Sequence, residues 1–338
     1  MSWPIAKAPA RRAWLRLLLV AVVAALAAAC GEDAPPTPTG PVIQPFALQC
    51  PADVVGQSFT GAPVTIQVPT PTTSGGVLPV TGSCSPTGTT FPVGSTRVSC
   101  QATDARGAAA SCTFNINIAP PPLSRTNFLA FGDSTTSGEI TVPTTTALDV
   151  NGFPQFKMIL VPSQSYPTKL LTLLRSRYTT QASQFVVTNA GLPREWVVDG
   201  ARRLPGVLAS TSPQVVLLLE GANDLQAIGV AGIEPALLAL RSMVRAARAR
   251  GAAVFVASLP PPRAGGANTL SGPQVQTLNA LISSGAVAEG ATFVDLYAAL
   301  APNVPLYIGI DGLHPTEAGY QRMAETFFAA IRNAFEGR

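Results

Sequence analysis

From Phe128 to the C-terminus, short apolar runs alternate with longer segments whose apolar residues recur every three to four positions. The runs are Phe128–Phe131, Phe185–Thr188, Val215–Leu219, Ala253–Ala257 and Thr292–Leu296. Between and after them lie the periodic segments Pro167–Tyr178, Glu234–Arg250, Pro273–Ala286 and Thr316–Phe335. A strand that is apolar throughout is covered on both faces, and a helical crossover between strands makes them parallel. Residues 127–338 are therefore expected to form an α/β domain with a parallel sheet between helices.

Residues 47–119 follow a different rule. Their only charged residues are Asp53, Arg97, Asp104 and Arg106, while Thr, Ser, Val, Pro and Gly dominate. Runs such as Val64–Val68 and Thr113–Ile118 alternate apolar with polar residues, and turn signals separate them, which predicts a small β-sandwich. Four of the five cysteines (Cys50, Cys84, Cys100 and Cys112) lie in this stretch. They lack a C-x-x-C pair and the single histidine is far away, so two disulfides are expected rather than a zinc site. Residues 120–126 begin with three prolines and read as a stiff linker.

The amino-terminal segment, residues 1–29, carries Lys7, Arg11, Arg12 and Arg16 ahead of a 13-residue apolar run, Leu17 to Ala29. That run is short for a membrane span and suits a signal peptide, so export is expected. Residues 30–46 are rich in Pro, Thr and Gly and read as a tether. The net charge of +4 resides in the leader, whose loss leaves 18 cations against 18 anions. A neutral chain without a basic cluster is not built for nucleic acid. Arg241, Arg245 and Arg248, opposite Leu237, Leu240 and Val244, read as a solvated helix face.

In an open parallel sheet, ligands bind beyond the carboxyl ends of the strands. The residues following the candidate strands are Gly132-Asp133-Ser134, Asn189-Ala190-Gly191, Gly221-Ala222-Asn223-Asp224 and, later, Asp311-Gly312-Leu313-His314-Pro315. A serine hydroxyl becomes a nucleophile at neutral pH only beside a base. Histidine supplies the base, and a carboxylate sets its tautomer. Asp311, three residues before His314, is close enough to do so. A tetrahedral oxyanion needs preorganised donors, and Ser134 N–H, Gly191 N–H and the Asn223 amide are the candidates. Asp133 and Asp224 are read as loop-fixing residues, with no metal and no cofactor expected. G-x-S-x-G, G-x-G-x-x-G and Walker A patterns do not occur.

Three resemblances follow from these residues. Leu26-Ala27-Ala28-Ala29-Cys30 resembles the lipobox of bacterial lipoproteins, which implies lipidation of Cys30 and a membrane anchor in the cell envelope; an ordinary cleaved signal peptide is the alternative. Cys50-Pro51-Ala52-Asp53, Cys84-Ser85-Pro86 and the run Phe91–Cys100, completed by Ala102-Thr103-Asp104 and Cys112-Thr113-Phe114, resemble the hyalin-repeat (HYR) module, an immunoglobulin-like domain. Of the three connectivities open to four cysteines, Cys84–Cys100, bracketing a hairpin, and Cys50–Cys112, joining the first and last strands, are expected. Residues 127–338 resemble the SGNH (GDSL-type) hydrolases, whose four diagnostic residues map onto Ser134, Gly191, Asn223 and His314, with Asp311 as the histidine's partner. The resemblance implies a three-layer α/β/α sandwich of flavodoxin-like strand order 2-1-3-4-5 and esterase or lipase activity without a metal.

Two departures stand out: Thr135 replaces the eponymous Leu, and a long stretch from Glu139 to Gln164 is expected to form a loop or hairpin beside the site. The expected function is an exported, lipid-anchored serine esterase acting on carbohydrate acetyl esters, short acyl esters or lysophospholipids. The alternatives are a carbohydrate O-acetyltransferase using the same site, or a surface adhesion protein with an inert hydrolase domain. The HYR-like region is the expected contact for a surface glycan or protein.

Overall fold

The computed structural model describes residues 44–268 and 270–337. The leader, Cys30 and nearly all of the tether lie outside the described residues.

Four strands carry the β-rich amino-terminal region: β1 (Val54–Gln57), β2 (Thr81–Ser85), β3 (Gly94–Thr103) and β4 (Ala109–Ala119). They form one sheet in the order β1-β4-β3-β2, with β1 parallel to β4 and the other pairs antiparallel. Two short antiparallel pairings, Ala47–Gln49 with Thr72–Ser74 and Val64–Thr65 with Thr90–Phe91, accompany it. The period-two pattern buries Val98, Cys100, Phe114, Ile116 and Ile118 along β3 and β4. So small a core gives limited stability by itself. Cys50–Cys112 and Cys84–Cys100 are both disulfide-bonded, and closing loops of this length contributes about 3–4 kcal/mol each in the chain-entropy account.

The proline stretch that follows is fastened rather than free. Leu123 is buried in the larger core, and the Gln181 side chain both donates to Leu123 O and accepts from Leu123 N–H. Gln57 Nε2 donates to Pro120 O at the other end.

The remaining sheet contains β5 (Asn127–Gly132), β8 (Val186–Gly191), β9 (Val215–Leu219), β10 (Ala253–Ala257) and β11 (Thr292–Val294). A hairpin of β6 (Glu139–Leu148) and β7 (Pro154–Leu160) branches off after β5. The sheet order is β8-β5-β9-β10-β11, all parallel, which is 2-1-3-4-5 counted along the chain. β9 is buried at every position, as its uniformly apolar sequence requires. Five longer helices flank the sheet: α2 (Tyr166–Arg177), α3 (Val197–Thr211), α5 (Ile233–Arg248), α6 (Gly272–Ala288) and α9 (Glu317–Phe335), with the short α7 (Leu296–Leu300) and α8 (Val304–Tyr307) between the last two. α2 packs on α9, and α5 packs on α3 and α6. Arg241 and Arg245 of α5 both reach Glu289 at the end of α6, so this face is a helix–helix link and not simply solvated.

α3 is not among the helices expected from the sequence. It contains Gly200, Pro205 and Gly206, all helix breakers. Burial of Val197, Leu204 and Leu208 on one face overrides that preference.

Candidate active site

Strand β5 ends at Gly132, where a side chain would collide with Leu219 O and the Thr136 hydroxyl, so the backbone approaches its neighbours as only glycine allows. Asp133 then caps a single helical turn, α1 (Ser134–Ser137), by accepting from Thr135 N–H at 2.9 Å. This turn lifts Ser134 to the carboxyl edge of the sheet. Burial raises the Asp133 carboxyl to about 6.

His314 arrives from the loop that closes before α9. Ile308 bridges Pro315, Gly309 N–H donates to His314 O at 2.7 Å, and Gly312 has a φ of 91°. Inside this loop Asp311 Oδ1 accepts from Leu313 N–H and His314 N–H, and Asp311 Oδ2 lies 2.5 Å from His314 Nδ1. Burial acts to raise the Asp311 carboxyl, but the His314 ring and the two N–H donors outweigh it and hold the group below its usual range. A carboxylate at Nδ1 places the ring proton there and leaves Nε2 as an acceptor. His314 Nε2 is 2.9 Å from Ser134 Oγ. All three side chains are buried, which keeps competing water from these hydrogen bonds.

The expected oxyanion donors are found at adjacent strand ends, with one difference. Ser134 N–H opens α1, where no helical carbonyl precedes it. Asn223 lies in α4 (Ala222–Ile228) and donates one Nδ2 proton to Glu195 O at 2.9 Å, leaving its second proton for a ligand. Gly191 N–H, expected to face the ligand freely, instead donates to Asn189 Oδ1 at 2.9 Å. The cause is local: an Asn side chain reaches the N–H two residues on without any tertiary contact. Asp224 fixes a loop as expected, its Oδ2 accepting from Val197 N–H at 3.1 Å.

Four charged groups near the site were not singled out from the sequence. Glu139, at the base of the hairpin, has Oε2 3.6 Å from His314 Nε2, and its backbone carbonyl accepts from Tyr320 OH at 2.6 Å. The hairpin thus meets the site at its base. Glu195, Arg203 and Glu220 cluster behind the loop that follows β8. Glu220 alone left a sequence signal, a carboxylate directly after the apolar run Val215–Leu219. Among the described residues, no group of three or more His, Cys, Asp or Glu side chains is arranged as metal ligands.

Comparison with known proteins places this geometry. No curated protein sequence matches the chain. Among solved structures, the chain is similar to a lipase/acylhydrolase from Enterococcus faecalis (21% identity, 63% of this chain and 98% of that one, TM-score 0.48). It is also similar to a carbohydrate acetylesterase from Sinorhizobium meliloti (18% identity, 62% and 100%, TM-score 0.48). A third similar structure is an aryl esterase from M. smegmatis (19% identity, 62% and 99%, TM-score 0.48). Residues 43–118 match the HYR domain. Residues 130–322, more than half of the sequence and the part that holds Ser134, Gly191, Asn223 and His314, match the GDSL-like lipase/acylhydrolase family, and the chain belongs to that family of carboxylic ester hydrolases.

Proposed function

We propose that the protein is an exported, lipid-anchored serine esterase with Ser134 as nucleophile, His314 as general base and Asp311 as the residue that orients and charge-balances the imidazole. The observation that carries this reading is the continuous relay from Ser134 Oγ to His314 Nε2 at 2.9 Å and from His314 Nδ1 to Asp311 at 2.5 Å. Ser134 Oγ attacks the ester carbonyl while His314 Nε2 takes its proton. The oxyanion is held by Ser134 N–H and the free Asn223 amide proton, joined by Gly191 N–H once the ligand competes with Asn189. The collapsing intermediate expels the alcohol, which leaves with the proton from His314. Water then repeats the sequence on the acyl-enzyme and releases the acid.

A short acyl group fits best. The hollow flanking the nucleophile turn, lined by Thr135, Ala222, Leu259, Leu270 and Leu313, is small and mostly apolar, with room for about one water-sized group, which supports a short acyl chain. The larger hollows, of about 550 and 640 Å³, are lined by other parts of the chain, chiefly the β-rich region. Short acyl esters, acetyl esters of carbohydrates among them, are therefore favoured over lysophospholipids. Export is supported by the cationic, apolar leader before Cys30 and by two disulfides, which form in an oxidising compartment.

Residues 44–338, produced in an oxidising compartment, would be assayed on p-nitrophenyl esters from acetate to laurate. Acetate is expected to be cleaved fastest, and Ser134→Ala and His314→Ala are each expected to lose at least a thousandfold in kcat, roughly the effect of removing such groups elsewhere. Full activity in Ser134→Ala would overturn the reading, and a preference for laurate would overturn the short-acyl assignment. Mass spectrometry of the full chain expressed in a bacterium, compared with Cys30→Ala, tests the lipid anchor.

A further inference from the structure

The loop between β8 and α3 is fastened by charged groups that never reach Ser134. Arg203 of α3 grips the Glu195 carboxylate through Nε at 2.6 Å and Nη2 at 2.5 Å. Its Nη2 also donates to Ala190 O at 3.0 Å, and its guanidinium lies 4.0 Å from the centre of the Phe131 ring. Glu195 is 6% and Glu220 1% exposed. Neither oxygen of Glu220 accepts a hydrogen bond from an ordinary donor. Burial, and after it the neighbouring Glu195 carboxylate, raise Glu220 well above the usual range. Gly200 makes the room: a side chain there would run into the Glu220 carboxyl.

Two of these bonds lead directly to candidate oxyanion donors. Ala190 O and Gly191 N–H belong to one planar peptide, so the Arg203 bond to the carbonyl sets the direction of the N–H on its opposite side. Glu195 O accepts from Asn223 Nδ2, which fixes the amide plane and hence the direction of its second proton. Between these points Arg194 has a φ of 65°, a left-handed conformation that a non-glycine residue keeps only where its surroundings enforce it. A buried ion pair with an added carboxyl gains little net stability. What distinguishes this one is the pair of donors it holds.

We propose that Glu195, Arg203 and Glu220 form a positioning clamp that aims Gly191 N–H and the Asn223 amide at the oxyanion, an inference that rests on the serine-esterase reading above. The clamp touches no substrate. Both halves of the reaction pass through an oxyanion, so a loosened clamp slows kcat whichever half limits the rate.

The test is a double-mutant cycle on p-nitrophenyl acetate with residues 44–338, comparing Arg203→Lys, Asn223→Ala and the pair, with thermal unfolding of each. Lysine keeps the charge but cannot grip Glu195 and Ala190 O together. Arg203→Lys is expected to lower kcat about ten- to hundredfold, somewhat less than loss of a whole oxyanion donor, with KM within about threefold. In the Asn223→Ala background the same change is expected to cost several-fold less than in wild type, because one of the two groups it aims is gone. A merely structural role would lower the melting temperature and reduce activity equally in both backgrounds. That result, or unchanged kcat in folded Arg203→Lys, would overturn the clamp. If Arg203→Lys does not fold, Glu195→Gln carries the same comparison with the same expected and overturning results. Full activity in Ser134→Ala would instead sink the serine reading beneath it.

Discussion

Glu139 Oε2 stands 3.6 Å from His314 Nε2 while Asp311 Oδ2 stands 2.5 Å from Nδ1, so the imidazole lies between two carboxylates. Asp311 is fully buried behind the ring, and Glu139, 17% exposed, sits on the side where the leaving alcohol must depart. The second carboxylate comes from the base of the β6–β7 hairpin. In the mechanism proposed above, its charge is therefore expected to act on the alcohol half of the ester.

A negative group on the alcohol, a few ångströms from Glu139, would be repelled by about 1 kcal/mol at a partly solvated site, worth roughly fivefold in rate. The ratio of kcat/KM for 3-acetoxypropane-1-sulfonate to that for neutral propyl acetate is expected to rise about fivefold in Glu139→Gln. Steady-state kinetics at low salt on both esters checks it. An unchanged ratio would mean that Glu139 does not face the alcohol.

Asp311→Asn should keep the loop but lose the tautomer. The amide oxygen can still accept from Leu313 and His314 N–H, as Asp311 Oδ1 does. Its NH2 group facing Nδ1 would then push the ring proton to Nε2, the nitrogen that must accept from Ser134. We expect kcat on p-nitrophenyl acetate to fall about a thousand- to ten-thousandfold, with the melting temperature lowered by only a few degrees. Retention of more than about a tenth of wild-type kcat would show that Asp311 is not needed to set the ring.

Glu336 ties the end of α9 to the end of α2. It accepts from Arg177 at 2.9 and 2.8 Å, from Tyr178 OH at 2.5 Å and from Arg332 at 3.1 Å. Burial acts to raise this carboxyl, but the hydrogen bonds from Arg177, Tyr178 and Arg332 outweigh it and hold it at about 2. A carboxyl lowered in the folded state stabilises above its ordinary range of about 4.5 and loses that contribution as pH falls towards 2. Glu336→Gln is expected to cost about 1–3 kcal/mol at pH 7. The difference from wild type should shrink steadily between pH 4.5 and pH 2.5 in urea unfolding. A difference that stays constant with pH would argue that Glu336 contributes by packing alone.

Much of the architecture is local in origin and was therefore legible along the chain. Val215–Leu219 is apolar at every position and only five residues long, which suits a strand covered on both faces. Asp311 and His314 meet across three residues, so their contact is a property of one turn. The helices legible along the chain carry no proline or glycine pair in their middle turns. α3 was missed because Gly200 and Pro205 oppose a helix locally and only burial against the sheet restores it.

The cysteines show where local reasoning ends. Register puts Cys100 opposite both Cys84 and Cys112 on neighbouring strands, so the strand order alone leaves two partners open, and it is the position of Cys50 beside Cys112 that decides.

By itself, the sequence determined the alternation of strand and helix, the turn that presents Ser134 and the turn that joins Asp311 to His314, because each depends on residues within a few positions of one another. Tertiary structure alone decided the rest. It brought Ser134 to within 2.9 Å of a histidine 180 positions away, set Glu139 against that histidine and drew Arg203, Glu195 and Glu220 together behind the donors. Those contacts join separate strand ends and helices, and no local pattern records where strand ends converge until the sheet has twisted and its helices have packed.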